Sequence, residues 1–314
     1  MPQGLQVLIA LCLLGGLACG PDQRVPGRVR MADESLAELG SDRGVFQEEP
    51  PVRLPREWSA QALCLSAQGP LIGSGSTLWR LKPDGRFARV ADLPEQVSAV
   101  AAGGDGQVWA VGPTTLYRVE RGVAQAAFRP SDGSRAHLVS VAAGPDRIWV
   151  GDAGNRRVWI LDGNGRLVGS FGSRRGDDPG LVVPSPHLDV AALSDGRFAN
   201  VNPGLHRIEL RTPDGRLLGS IGEGGSALQQ FTGCCNPTDI AVLPGDRLAT
   251  MEKGLPRIKL YDLEGGLLAV VAGTDAFHPS TPGGDLAASA DGRIWFLDQN
   301  RGELRRFRPK GDER

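Results

Sequence analysis

RIWVGDAGNRRVWILDGNGRLVGSFG, residues 147–172, returns twice without a gap: as RFANVNPGLHRIELRTPDGRLLGSIG (197–222) and as RLATMEKGLPRIKLYDLEGGLLAVVAG (247–273). The offset is 50 residues, and the same columns hold Arg147, Arg197 and Arg247; Arg157, Arg207 and Arg257; and Gly165, Gly215 and Gly265. A short apolar run precedes each copy (SVAAG, DVAAL, DIAVL), followed by a tight turn near Pro145-Asp146, Asp195-Gly196 or Gly245-Asp246. Short strands with evenly spaced turn signals predict four-stranded antiparallel units. One such unit cannot bury both of its faces alone, so the units are expected to stack radially around an axis.

Shorter versions of the unit start at Ala62, Val97 and Asp285, and the last stops after three strands. PPVRLPREW, residues 50–58, stands just before the first unit, where an outer strand would sit. The expectation is an all-β, six-bladed β-propeller over residues 50–314, its ring closed by an N-terminal strand that fills the gap in the last blade. Closure removes bare sheet edges. The run from Arg147 resembles the NHL repeat, with its inner P-x-x-I-A strand, a V-x-D-x-x-N-x-R-V loop and a D-x-x-G turn. GCCNPTDIA (233–241) followed by TMEKGLPRIKLYDLEGGLLAVVAG resembles a signature of bacterial NHL proteins. The resemblance implies a six-bladed propeller, but that family includes enzymes, RNA binders and protein-binding scaffolds, so fold leaves function open.

Composition agrees with a β-rich chain. Hydrophobic residues are 40% of the 314, while 44 Gly and 23 Pro interrupt every apolar run before it reaches helical length. The net charge is −1, basic and acidic residues are interspersed, and aromatics are 5%. A basic, aromatic nucleic-acid face is therefore not expected. The N-terminus carries an apolar stretch from Leu5 to Ala18 that ends in Gly-Leu-Ala-Cys and resembles a bacterial lipobox. That reading makes residues 1–18 a signal peptide, Cys19 the lipidated first residue, and 19–49 a flexible tether on the periplasmic or exterior side of the cell envelope. Plain secretion and a cytoplasmic product started at Met31 are the alternatives.

In a blade, the loops entering the inner strand and those joining second to third strand share one face. His137, His187 and His278 precede inner strands, His206 lies in a second-to-third-strand loop, Cys234 and Cys235 enter the fifth unit, and Glu252 and Lys253 lie in that unit's loop. This face is the candidate ligand surface: Cys234, Cys235, Asn236, Glu252, Lys253, His187 and His206, for a protein, peptide or small ligand bound by a monomer. The cysteine pair has three readings: a vicinal disulfide, thiolate ligation of zinc or copper with His137 and His187, or two packed thiols. Asp189, Asp239 and Asp285 share a column at the start of inner strands, where they could bond backbone amides or hold calcium. Asp152, Asn202, Glu252 and Asp298 share another and, with the Arg157 column, read as braces. Cys64 reads as a small buried hydrophobe. No G-x-S-x-G, H-E-x-x-H or phosphate loop is present. Binding without catalysis is the leading reading; a metal-dependent propeller enzyme of lactonase or lyase type, or a redox or metal-handling accessory using Cys234 and Cys235, stands beside it.

Overall fold

The computed structural model describes residues 45–131 and 133–311, so the leader, Cys19 and most of the tether lie outside the described residues. The described residues start with β1 (Phe46–Arg53), which begins at Phe46 rather than at residue 50. Two antiparallel meanders follow. The first comprises β2 (Ala60–Ser66), β3 (Gly69–Ser74), β4 (Thr77–Leu81) and β5 (Phe87–Asp92). The second comprises β6 (Ala99–Ala102), β7 (Val108–Val111), β8 (Leu116–Glu120) and β9 (Val123–Phe128). The quoted repeat builds the next three: β10 (Leu138–Ala143), β11 (Arg147–Asp152), β12 (Arg157–Asp162) and β13 (Leu167–Phe171); β14 (Val190–Ala192), β15 (Phe198–Asn202), β16 (Arg207–Arg211) and β17 (Leu217–Ile221); β18 (Asp239–Leu243), β19 (Arg247–Glu252), β20 (Arg257–Tyr261) and β21 (Leu267–Ala272). β22 (Leu286–Ala288), β23 (Ile294–Asp298) and β24 (Glu303–Pro309) end the chain.

The sheets are all-β and arranged as a propeller, but they are not six separate blades. There are four separate four-stranded sheets and one eight-stranded sheet of order β2-β3-β4-β5-β9-β8-β7-β6. The reason is local: the outer strands β5 and β9 meet in a parallel bridge at Asp92 and Val123, which joins two meanders that the sequence pattern separates. The inner strands neighbour one another in the order β2, β6, β10, β14, β18, β22, and β22 returns to β2. The core lies in the seams between neighbouring sheets. Leu63 and Ile72 pack with Ala287, Leu297 and Leu304 across the junction of the first and last units. Trp149 stacks on Phe198 of the next sheet, ring centroids 4.7 Å apart.

The repeated glycine column has a backbone cause. Gly165, Gly215 and Gly265 turn the third strand into the fourth with φ of 82°, 91° and 91°, a region that L side chains avoid. At Gly215 a Cβ would also stand 2.7 Å from the Phe171 ring.

β1 completes the last sheet, in the order β1-β24-β23-β22, and pairs antiparallel with β24 from Phe46↔Pro309 to Arg53↔Glu303. Arg305 fixes the join: its Nε and Nη2 donate to Glu48 Oε1 (2.7 Å) and Oε2 (2.9 Å). Its Nη1 donates to Asp298 at 3.3 Å. A chain lacking residues 45–53 should therefore leave the β24 edge bare and self-associate or lose cooperative melting, read by light scattering and calorimetry. A monomer that melts as sharply as the full chain would show that the closure is dispensable.

Candidate functional site

The inner strands carry small residues at their middle, among them Ala101, Ala142, Ala191, Ala241 and Ala287, which lets six strand backbones approach one axis. They enclose a cavity of about 550 Å³ lined by these residues and by Gln61, His137, His187, Asp189, Asp239 and Asp285.

The three aspartates act as staples between sheets. Asp189 Oδ2 accepts from the Ile240 amide at 2.9 Å, Asp239 Oδ1 from the Leu286 amide at 2.9 Å, and Asp285 Oδ2 from the Leu63 amide at 2.6 Å. Each carboxylate thus bonds the inner strand of the next unit, and the last of them bonds back to the first unit. On the other half of the ring Ser140 Oγ donates to the Leu188 carbonyl at 2.6 Å, a neutral counterpart. The carboxyl groups line the cavity half-buried. Burial pushes the Asp189 carboxyl up to about 7, opposed by the amides it accepts. Burial and then the charges of Asp189 and Asp285 hold Asp239 well above the carboxylate range; burial and then Asp189 do the same to Asp285. Burial, followed by the Lys253 charge, lowers His187 to about 4. Burial thus shifts all three acids toward their protonated form and His187 toward its neutral form, which reduces the charge that the lining presents. Deeper in the wall, burial and then the Asp285 charge raise the Cys64 thiol far above its ordinary range, which leaves it an inert, half-buried group.

The expected face divides into two parts. His137 and His187 line the cavity; Cys234, Cys235, Asn236, Glu252, Lys253, His206 and His278 do not. The two loop sets do share an end of the molecule, because they bond each other: Ala153 N to His137 O (2.9 Å), Gly204 N to Val182 O (2.9 Å) and Lys253 N to Asn236 Oδ1 (2.9 Å). His206 lies in a left-handed turn at φ 54°, its Nδ1 buried without a partner. His278 is exposed and its Nδ1 contacts Ser280 Oγ at 2.6 Å. Among the described residues no group of three or more His, Cys, Asp or Glu side chains is arranged to hold a metal ion. The zinc or copper set of His137, His187, Cys234 and Cys235 and the calcium set of the three aspartates are thus not assembled as centres.

Asn236 and Glu252 are wholly buried and engaged in bracing. The Asp152, Asn202, Glu252 column takes an amide from the loop entering its own unit: His137 N to Asp152 (3.0 Å), Val182 N to Asn202 (2.9 Å), Thr232 N to Glu252 (3.3 Å). The expected arginine partner appears in only one of these three units, as Arg257 to Glu252 at 2.9 Å. In the third unit Trp159 Nε1 takes that place on Asp152 at 3.0 Å, and Arg157 turns to Ser170 at 2.8 Å. In the fourth unit Asn202 Nδ2 donates to Glu209 at 2.8 Å, and Glu209 also holds Arg207 at 2.6 Å.

Sequence reasoning missed a set of fully buried charges on the third strands and their neighbours: Glu209, Arg211, Lys259 and Arg305. Alternation along RIELR and RIKLY places Glu209 and Lys259 on the face opposite the flanking Ile and Leu, which in a two-layer fold would be solvent. Here both faces of the strand are covered by neighbouring sheets. Lys259 Nζ is 2.8 Å from Glu252 Oε1 and donates to the carbonyls of Leu228 (3.0 Å) and Gln230 (2.9 Å). Burial lowers its ammonium to about 8, with the Glu252 charge pulling the other way. The signal available was the shared column with Trp159, a large buried side chain.

No protein-family model matches this chain, and no curated protein does. Solved structures do. A protein of unknown function from Bacteroides thetaiotaomicron is 12% identical with a TM-score of 0.61, over 84% of this chain and 76% of that one. Virginiamycin B lyase from Staphylococcus aureus is 14% identical with a TM-score of 0.56, over 84% and 99%. The WD40 propeller domain of Doa1 is 12% identical with a TM-score of 0.52, over 84% and 97%. At these identities the likeness establishes the fold: the chain is a β-propeller.

Proposed function

We propose that the chain is an envelope-tethered binding protein, a six-bladed propeller of NHL type that receives a small ligand or the end of a peptide at its channel mouth. The count of six takes the eight-stranded sheet as two blades joined along β5 and β9. The observation that carries the reading is the cavity of about 550 Å³ with His137, His187 and the aspartates set among alanine, valine and leucine residues. Convergent polar groups in a concave hollow are a usual feature of a small-ligand site, and the size falls in the usual range of roughly 300–1,000 Å³. Asp239 and Asp285, held above the carboxylate range, are shifted toward the protonated, donating form, and His187, lowered to about 4, offers an acceptor, so a polar ligand could be oriented there. The tether follows from the lipobox-like Gly-Leu-Ala-Cys19.

Native mass spectrometry of the protein extracted gently from its own membranes tests both halves. The expected spectrum shows a mature chain that begins at lipid-modified Cys19 and carries one small molecule or peptide. A His187→Trp variant, which fills the mouth, should lose that cargo and keep the lipid. Cargo retained by the variant, or an unladen wild type, would refute mouth binding; an unmodified Cys19 would refute the anchor.

A further inference from the structure

Cys234 and Cys235 lie outside the cavity and take no part in the binding reading. Gly233, at φ 83°, turns the chain ahead of them, Cys235 itself holds a left-handed φ of 65°, and the Asn236-Pro237 peptide that follows is cis. Cys234 is exposed while Cys235 is only 4% exposed, and their Sγ atoms stand 2.7 Å apart. The stem of the loop is pinned on both sides. Asn236 Nδ2 donates to the Thr232 carbonyl (2.6 Å) and the Lys253 carbonyl (2.9 Å), and Asn236 Oδ1 accepts from the Lys253 amide (2.9 Å). Thr232 is held in turn by Glu252 through its amide (3.3 Å) and by Arg257 through its hydroxyl (3.4 Å). With the stem fixed, the two sulfurs stay together, one reachable and one sheltered.

The geometry points to Cys234 and Cys235 as a thiol–disulfide exchange site that takes a disulfide compound at Cys234 and closes to a vicinal disulfide through Cys235. The Cys234 thiol gives its proton to water, and its sulfur attacks one sulfur of the incoming disulfide. That S–S bond breaks, and the first thiolate leaves with the electron pair and is protonated. Cys235 then loses its proton and attacks the Cys234 sulfur, which expels the second thiolate. Two protein thiols are oxidised by two electrons, and one external disulfide is reduced to two thiols. Burial of Cys235 sets the order, because a thiol that the substrate cannot reach can act only as the resolving partner. Adjacency sets the reversibility. Neighbouring Cα atoms are about 3.8 Å apart across a trans peptide, short of the roughly 4.4–6.8 Å of ordinary disulfides. The closed form is therefore strained and belongs with the labile disulfides that excess thiol reopens, in contrast to a fixed structural staple.

The test incubates the full chain with oxidised glutathione, then alkylates it and maps the peptide that carries both cysteines by mass. Wild type should lose two hydrogens there, hold no lasting glutathione, and reopen in excess reduced glutathione. Cys235→Ser should trap glutathione on Cys234, and Cys234→Ser should leave Cys235 roughly tenfold or more slower to react, with Cys64 as an internal unreactive thiol. Circular dichroism melting of both serine variants checks that they are folded. Wild type that stays a dithiol, or keeps a glutathione adduct on Cys234, overturns the site. So does a Cys235 that reacts as fast as Cys234, or a closed form that reduced glutathione never opens.

Discussion

Replacing Asp189, Asp239 and Asp285 together with asparagine will raise the unfolding temperature at pH 8 and leave it nearly unchanged near pH 4. All three carboxyls are held above their ordinary range in the folded chain, first by burial and then, for Asp239 and Asp285, by the Asp189 charge, with Asp285 adding to it at Asp239. The folded state therefore keeps protons that the unfolded state has already released. Stability from such a group is complete below the unfolded value of 3.8 and is lost as pH rises through the folded one, about 7 for Asp189. The loss is about 2 to 4 kcal/mol at Asp189 alone, with lumen water screening part of it. Asparagine keeps the acceptor oxygen that Ile240, Leu286 and Leu63 use, and it has no charge to bury. His187, lowered to about 4, works with the opposite sign between its folded value and the unfolded 6.5, but it is common to both proteins and cancels in the comparison. Thermal melts from pH 4 to 8 decide the matter. A variant less stable than wild type at pH 8 would mean that ionised staples hold the ring.

Glu252→Ala should cost about 3–5 kcal/mol, on the order of 10 °C in melting temperature, as expected when one member of a buried ion group is removed. Glu252, Arg257 and Lys259 are all at most 1% exposed, and among the described residues the glutamate is the only acid bridging the two cations. Without it Lys259, already lowered to about 8, falls further. A lysine with a depressed folded value contributes stability above its unfolded pKa and loses it as pH falls through the folded one. The variant's deficit should accordingly be smaller at pH 8 than at pH 6, as denaturant titrations at the two pH values would report. A deficit under about 1 kcal/mol, typical of exposed pairs, would show that Glu252 is solvated in solution.

The repeat was legible because its marks answer to backbone geometry. The glycines at 165, 215 and 265 supply positive φ, and the Asp189 column meets the next inner strand at a fixed height. The second property of those aspartates, as acids held above their ordinary range, was not legible, since it arises only when β14, β18 and β22 converge from positions about 50 residues apart. Glu252 read both as a brace and as part of the ligand face, and Asn236 as part of that face, because loops usually lie at the surface. In this loop pair the two side chains replace backbone partners and are covered by the loops they tie. Glu209, Arg211 and Lys259 escaped for a related reason: alternation reports which neighbours share a face, and it is silent on whether a second sheet covers the other one. The joining of β5 to β9 was equally hidden, because one bridge between outer strands leaves no mark on either strand's pattern.

The pairing of β1 with β24 imposes an order in time. Glu48 and Arg305 are 257 residues apart, so at about 5–20 residues per second roughly 10 to 50 s separate the synthesis of the two halves of that strand pair. Until Glu303 to Pro309 emerge, every earlier sheet can form but the circle has no clasp, and β1 must wait unpaired beside a growing arc. Premature release of the nascent chain at any point before β24 is made yields an open crescent with two sticky ends, so for this protein length fidelity and fold fidelity are the same requirement.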